Sequence, residues 1–583
     1  MQVIKSSVKT LSTSPKSTIL KIIIFLIFLW FTAFFLIFPN LYTIIAVFWQ
    51  DGAFTMTASD RLFGSALATS ALRNSFILAP VLSITVGVVG ISLVLITDYF
   101  KIHGAKILRL GYMTTLLYWG IILVSGWRFL YSADGFVTRL LASWFPDFNI
   151  GWFEGFWAVL FVMTFAATGN HLIFLRNALR SVDFQTVEAA QNMGASSFTI
   201  LRRIVLPVLI PSLIAVTMLT FVGGLTAMAA PLLIGGRDFQ TINPRILSFS
   251  LMPGSRDLAA LMALLLGIAS MALVGTMAWL EKRGHYLSTA KVKSEIVKQK
   301  IKNPILNILA HIYAYVLFII YVAPVVIITL FSFMESGAIH RREFSLNYFT
   351  LDNYRAVFTN PNAYGPLIIS SIYSLIAAVA VAALVLVLCR IITKHKGKLS
   401  TFVEYAFMIP WLLPTVLIAI GLVTTFSAPR WFMLNRVMTG TMGIMVLGYV
   451  IIRIPFTLRL TRAAFYAIDD TLEEAAKNLG AKSYYTFLRV ILPVILPSVL
   501  AIFALNFNAL LTEFDLSTFL FHPLAMPMGV MIRRQTEDGA SGGTLGVVDG
   551  TAMTLVYAVL TMAVAAVVLY IAYGRGSKDF SDR

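Results

Sequence analysis

Apolar residues run along this chain in long blocks, each about the length of a membrane-crossing helix, with polar residues gathered in the short stretches between. A helix needs about 20 mostly apolar residues to cross the hydrocarbon of a bilayer, and about twelve runs meet that criterion. Six lie near residues 19–49, 75–98, 108–132, 155–175, 208–235 and 258–280, and six near 305–334, 366–393, 402–427, 441–460, 494–521 and 551–573. The first run is too long for a cleaved signal peptide, and no small-residue cleavage site closes it, so it reads as a retained first span. The pattern predicts an all-α polytopic membrane protein.

Composition strengthens that reading. Residues are 58% hydrophobic and 12% charged, where a soluble domain carries about a quarter charged. Mean hydropathy is +0.83. The net charge of +18 need not point to nucleic acid, because cytoplasmic loops of membrane proteins retain Lys and Arg. The single cysteine, Cys389, sits in an apolar run and reads as a packing residue, and no Cys/His cluster has metal spacing.

The basic residues also orient the chain. Lys5, Lys9, Lys16 and Lys21 precede or open the first run without an acid among them, and Lys101, Lys106 and Arg109 follow the second. The alternate loops mix signs, with Asp51, Asp60 and Arg61, then Asp134, Arg139, Asp147 and Glu154. The positive-inside rule places both termini in the cytoplasm. The polar stretch 281–304, with Lys291, Lys293, Lys298, Lys300 and Lys302, reads as a solvated cytoplasmic connector.

Two polar motifs stand out on that same side: "EAAQNMGASS" from Glu188 and "EAAKNLGAKS" from Glu474. They lie 286 residues apart, and the same offset pairs Arg176 with Arg462, Asp183 with Asp469, Gly194 with Gly480, Arg203 with Arg489, Pro207 with Pro493 and Pro211 with Pro497. The chain therefore reads as an internal duplication of two parallel six-helix repeats, 1–285 and 305–583, joined by a linker over 286–304. Each motif predicts a short helix opened by Asp or Thr, with Thr471 and Glu474 at capping-box spacing, and closed by Gly194 or Gly480. A second short helix follows, and prolines mark the start of the next span. Ala475 and Ala476 are small enough to let another protein approach closely.

The pattern of Glu-Ala-Ala, three residues, Gly and a later Leu-Pro resembles the EAA loop of binding-protein-dependent ABC importer permeases. "FTLDNYRAVF", "MIPWLLPTVLIAIGL" and "LLTEFDLSTFLF" resemble segments of the fused two-domain permeases, the ferric-iron type especially. The first half lacks prolines matching Pro410 and Pro414, and Ala227 stands where Glu513 falls by the offset. The resemblance implies a type I importer permease fold in the bacterial cytoplasmic membrane. It implies coupling loops at 183–207 and 469–493, with Glu188, Ala189, Ala190 and Gly194 in one and Glu474, Ala475, Ala476 and Gly480 in the other. Each loop would dock on one of two copies of an ABC ATPase, and an extracytoplasmic binding protein would deliver the substrate. No GxxxxGK[ST] phosphate loop occurs, so ATP would be used by the partner subunits and no cofactor bound by this chain.

Glu513 and Asp515 are the candidate pathway residues, because ionised groups in an apolar span are costly unless they face water, protein or a cation. On a regular helix they would point about 200° apart, with Glu513 inward and its structural alternative a bond to Asn506 or Asn508. The resemblance makes iron(III) the first substrate, with thiamine, polyamine, phosphonate or another organic anion as alternatives. A twelve-span secondary transporter would also show two six-span halves, but intramembrane charge here is sparse. An intramembrane enzyme would need more than His171, Asn170 and Arg453, and His171 reads better as a packing or hydrogen-bonding residue.

Overall fold

The computed structural model describes residues 15–50, 52–116, 120–283, 298–394, 397–537 and 549–574. Most of the linker, with Lys291 and Lys293, lies outside the described residues. Among the described residues, ten helices are long and apolar enough to cross a membrane: Ile23–Phe48, Ala66–Tyr99, Phe156–Leu179, Ser197–Leu225, Arg256–Thr276, Pro304–Ser332, Pro361–Lys394, Met442–Tyr466, Ser483–Leu511 and Gly550–Val568. Two more runs are sharply bent pairs, Ala105–Leu116 with Gly120–Trp144 at 113° and Ser400–Leu412 with Thr415–Phe426 at 108°. With each pair counted once there are twelve, and a bent pair stands third in each half. The fold is all-α and polytopic. Among the described residues, the strands are one two-residue pair, Trp49–Gln50 with Ala53–Phe54.

The bends correct the expectation of plain spans near 108–132 and 402–427. A residue before proline is pushed out of the helical region. Leu413 accordingly adopts φ −100, ψ 136 ahead of Pro414, which opens the next helix. The first half turns without proline, and Gly120 re-enters the helix at φ 58.

The offset of 286 residues holds element for element. Helix Phe184–Asn192 matches Asp470–Asn478, and Ser197–Ile200 matches Ser483–Thr486. The π-helical turn Leu201–Val205 matches Phe487–Ile491, and Leu206–Leu225 matches Leu492–Leu511. Each π turn immediately precedes a Leu-Pro pair. Proline offers no N–H and crowds the carbonyl four residues back, so the chain widens there rather than stopping. The fifth and eleventh spans consequently start at Ser197 and Ser483, a full short helix earlier than the apolar runs suggest.

The two halves exchange their first spans. Phe28 and Phe35 pack on Phe407 and Phe426 of the second half, with ring centroids 5.8 Å apart in both pairs. Reciprocally, Tyr321 of the seventh span packs on Tyr112 and Phe165 of the first half at 5.4 and 5.5 Å. Tyr112 also donates to the carbonyl of Ala314 at 2.8 Å. Neither repeat is a closed bundle by itself.

The end of the linker fixes which face is which. Gln299 pairs with Phe100, just past the second span, and bonds Gln191 on helix Phe184–Asn192. Span Pro304–Ser332 thus starts on the side of that helix and ends on the opposite face.

Candidate functional site

The two short helices after the fourth and tenth spans are built alike from their first residue. Asp183 opens one by accepting from the Gln185 N–H at 3.0 Å, and Asp469 opens the other by accepting from the Thr471 N–H at 2.9 Å. Asp469, not Thr471, is therefore the cap, which corrects the capping-box expectation. Aspartate reaches the free N–H groups of the first turn while its own backbone stays extended.

Both helices end in the same left-handed turn. Gly194 has φ 85 and Gly480 φ 80. The Gly194 N–H donates to the Gln191 carbonyl at 2.9 Å and the Ala195 N–H to the Ala190 carbonyl at 3.0 Å. Gly480 and Ala481 repeat these bonds to Lys477 and Ala476 at 2.9 and 3.0 Å. This is the Schellman arrangement, and it satisfies carbonyls that the helix end would otherwise leave bare.

The turn sets what each loop shows. Glu188, Ala189, Glu474 and Ala475 are exposed, while Ala190 and Ala476 are buried against their own chain. Ala476 thus cannot serve the close approach of a partner expected of it. Among the described residues neither Glu188 nor Glu474 makes a hydrogen bond or ion pair. The motif letters hide a second feature. Met193 and Leu479, just before the glycines, are 81% and 88% exposed, and Phe198 and Tyr484 are 70% and 76% exposed. Large side chains are thus held out at matching positions beside a glutamate in both loops. The signal was in the sequence as an apolar residue before each glycine of a polar motif.

The loops differ beneath. Arg390 donates to both carboxylate oxygens of Glu473 at 2.8 and 2.9 Å, and Lys394 adds a contact at 2.7 Å. The Arg390 hydrogen bond is the main reason the Glu473 carboxyl is held down at about 2. The matching position in the first loop is Val187, which is buried in the apolar core. There the charge lies on the spans: Asp98 takes Arg109 at 2.9 Å and Arg176 at 3.1 Å. Arg462, the counterpart of Arg176, pairs with Glu404 instead.

Glu513 and Asp515 do not lie on a regular helix. Span Ser483–Leu511 ends ahead of them, and a new short helix starts at Ser517. Glu513 turns both oxygens to backbone, accepting from Leu516 N–H at 2.6 Å and Ser517 N–H at 3.0 Å. Its partners are thus not Asn506 or Asn508. Asn506 instead accepts from Nε of Arg453, on span Met442–Tyr466, at 2.9 Å and donates to Thr457 at 2.8 Å. Asp515 is half-buried, and among the described residues it makes no hydrogen bond or ion pair. His171 is buried where its span crosses the second one, against Gly90, whose missing side chain admits the ring. Among the described residues no three His, Cys, Asp or Glu side chains stand close enough to share a metal ion.

Comparison with known proteins sets these loops in a family. Residues 386–575 match the family described as "Binding-protein-dependent transport system inner membrane component". The chain is 36% identical over 544 residues to "Probable ABC transporter permease protein y4fN" of Sinorhizobium fredii, an alignment that spans 93% of this chain and 94% of that one. It is 22% identical over 521 residues to "Ferric transport system permease protein FbpB" of Actinobacillus pleuropneumoniae, across 87% of this chain and 73% of the relative. With "Sulfate transport system permease protein CysT" of Escherichia coli it shares 23% identity over 220 residues, 36% of this chain and 79% of the other. A repeated helix–glycine–helix loop, two six-span halves and a relative matched along nearly its whole length place this chain among the binding-protein-dependent ABC transporter permeases.

Proposed function

We propose that this chain is a two-half permease of an ATP-driven importer, in which the loops 183–207 and 469–493 each dock one copy of an ABC ATPase. The observation that carries the proposal is the identity of the two loops in three dimensions. They share cap, Schellman turn, free glutamate and projecting apolar pair at a constant offset. A lone loop of this shape would be explained as a helix end. Two, with Met193 and Leu479 held out of the chain, call for two equivalent partners. The repeats 1–285 and 305–583 would then be the units that move against one another around a central path, with both loops and both termini in the cytoplasm of a bacterial cell. The inner-membrane path would be fed by an extracytoplasmic binding protein. ATP would be bound and hydrolysed only in the partners, and this chain would carry no cofactor.

For the path itself, the Asp515 carboxylate is the better of the two acidic candidates, since Glu513 is engaged by backbone N–H groups. Iron(III) is the substrate we favour. The relative named for ferric transport aligns along 87% of this chain and so across both halves, whereas the relative named for sulfate aligns along 36%. Thiamine, a polyamine, a phosphonate or another organic anion are the alternatives.

The test is uptake into proteoliposomes holding the permease, its ATPase and its binding protein. Uptake of iron(III) is expected to require ATP inside and to survive ionophores. Uptake without the ATPase, driven by an ion gradient, would mark a secondary transporter. ATP-dependent uptake of sulfate or thiamine but not iron would keep the importer and replace the substrate.

A further inference from the structure

A pocket of about 350 Å³ opens at the seam between the halves, on the face opposite the docking loops. Its walls come from the end of the third span, from the segment after Pro304–Ser332, and from the start of the last span. Its ionisable lining is mostly basic in type. Arg128, Arg139, Arg342 and His340 face it, and Asp134 is the sole carboxylate among the described lining residues.

Backbone carbonyls hold two of the arginines, and the Asp134 carboxylate forms one long ion pair with Arg139. Arg342 donates from Nε to the Asp134 carbonyl at 3.2 Å and from Nη1 to the Ile339 carbonyl at 3.1 Å. Its guanidinium lies 3.7 Å from the centre of the Phe129 ring. Arg139 donates to the Arg341 carbonyl at 2.5 Å and stands 3.8 Å from the well-exposed Asp134 carboxylate. Carbonyls and a ring face orient a guanidinium without neutralising it. The nearby Asp549 is already taken by His340 and by Ser336 at 2.9 Å. Arg342 also keeps a side chain where the backbone resists one. It sits at φ 54 in the left-handed position closing helix Ser336–Arg341, the place where glycine is usual. Burial, and next the charge of Arg139, lower its pKa to about 10. At the wall, the buried Ser125 hydroxyl has no hydrogen-bond partner among the described residues.

We propose that this pocket binds an oxyanion group (phosphate, sulfate or carboxylate) between Arg139 and Arg342. A planar fork of donors suits such a group, and an anion there would offset two like charges now placed together. The group could belong to a free anion or to the headgroup of an anionic lipid, because the pocket opens near a membrane face.

The full-length permease, assembled with its ATPase in phosphatidylcholine nanodiscs, is titrated by calorimetry with inorganic phosphate, inorganic sulfate and citrate. At least one should bind saturably, and Arg342→Gln and Arg139→Gln should each weaken it by about tenfold or more. Arg139 is half-exposed, so its variant keeps the test if the half-buried Arg342 variant does not assemble. In discs containing phosphatidylglycerol, competition that the same variants abolish would support the site and name the headgroup as its source. No saturable binding of any of the three anions in phosphatidylcholine discs, or binding as tight in Arg139→Gln as in the wild type, would overturn the proposal.

Discussion

Arg390 grips both carboxylate oxygens of Glu473, at 2.8 and 2.9 Å, and so ties helix Asp470–Asn478 to the end of the eighth span. At the matching place in the first loop Val187 is buried in apolar packing. Two loops of one backbone shape are thus anchored by different chemistry. Glu473→Ala would leave Arg390 half-buried without its partner, a loss of about 2 kcal/mol for charge-assisted hydrogen bonds. Amide hydrogen exchange across 471–478 should quicken roughly tenfold to thirtyfold, with 185–192 unchanged. Equal exchange in variant and wild type would show that the ion pair does not hold the helix.

The same pair fixes a pH expectation. Glu473 has a depressed pKa of about 2. A depressed carboxylate contributes stability that is present above its ordinary value, about 4.3, and lost as pH falls through the folded value. Protection of 471–478 should therefore stay flat from pH 8 to 5, after correction for intrinsic exchange, and fall only on the acid side of about 4. A loss between pH 7 and 5 would contradict the assignment.

The turns can be tested without disturbing packing. A Cβ added at Gly194 or Gly480 would meet nothing within 4 Å, so its effect falls first on the backbone at φ 85 and 80. Gly480→Val should cost about 1–2 kcal/mol in that conformation and reduce ATPase association, while Gly480→Asn, which tolerates it, should retain association. Membrane insertion is expected to be normal in both. Full association in Gly480→Val would remove the turn from the coupling loop.

The two acidic residues past the eleventh span should separate by phenotype. Glu513→Ala removes the acceptors for Leu516 and Ser517 N–H and should lower the thermal stability of the purified chain by about 2 kcal/mol. Asp515→Asn breaks no hydrogen bond or ion pair made among the described residues, and should lower uptake while assembly and stability hold. Normal uptake in Asp515→Asn would take Asp515 off the path.

Much of this was legible in the sequence, for physical reasons. A bilayer demands long apolar runs, so the spans could be counted, and a duplicated polar motif could be aligned because Gly194 and Gly480 are needed where the chain turns left-handed. The early start of the fifth and eleventh spans was hidden because residues 197–205 and 483–491 are too polar to read as membrane, although they continue the helix. The exchange of first spans, Phe35 on Phe426 and Tyr321 on Tyr112, was not legible at all. Apolar faces match many partners, and periodicity says nothing about which one is chosen. Glu473 was overlooked for a related reason: its neighbour Glu474 repeats across the halves, and Glu473, matched by Val187, does not.

Cross-linking from the loop tips tests most directly whether both loops carry an ATPase. Cysteines are placed at Met193 and at Leu479, singly and together, after the buried Cys389 has been replaced by serine. A short bifunctional thiol reagent is then added to the assembled complex, and intact masses are measured. Each single cysteine should join the permease to one ATPase, and the pair should yield one permease joined to two. A permease that links through only one of the two positions, or through neither while ATPase remains bound, would contradict docking at both loops.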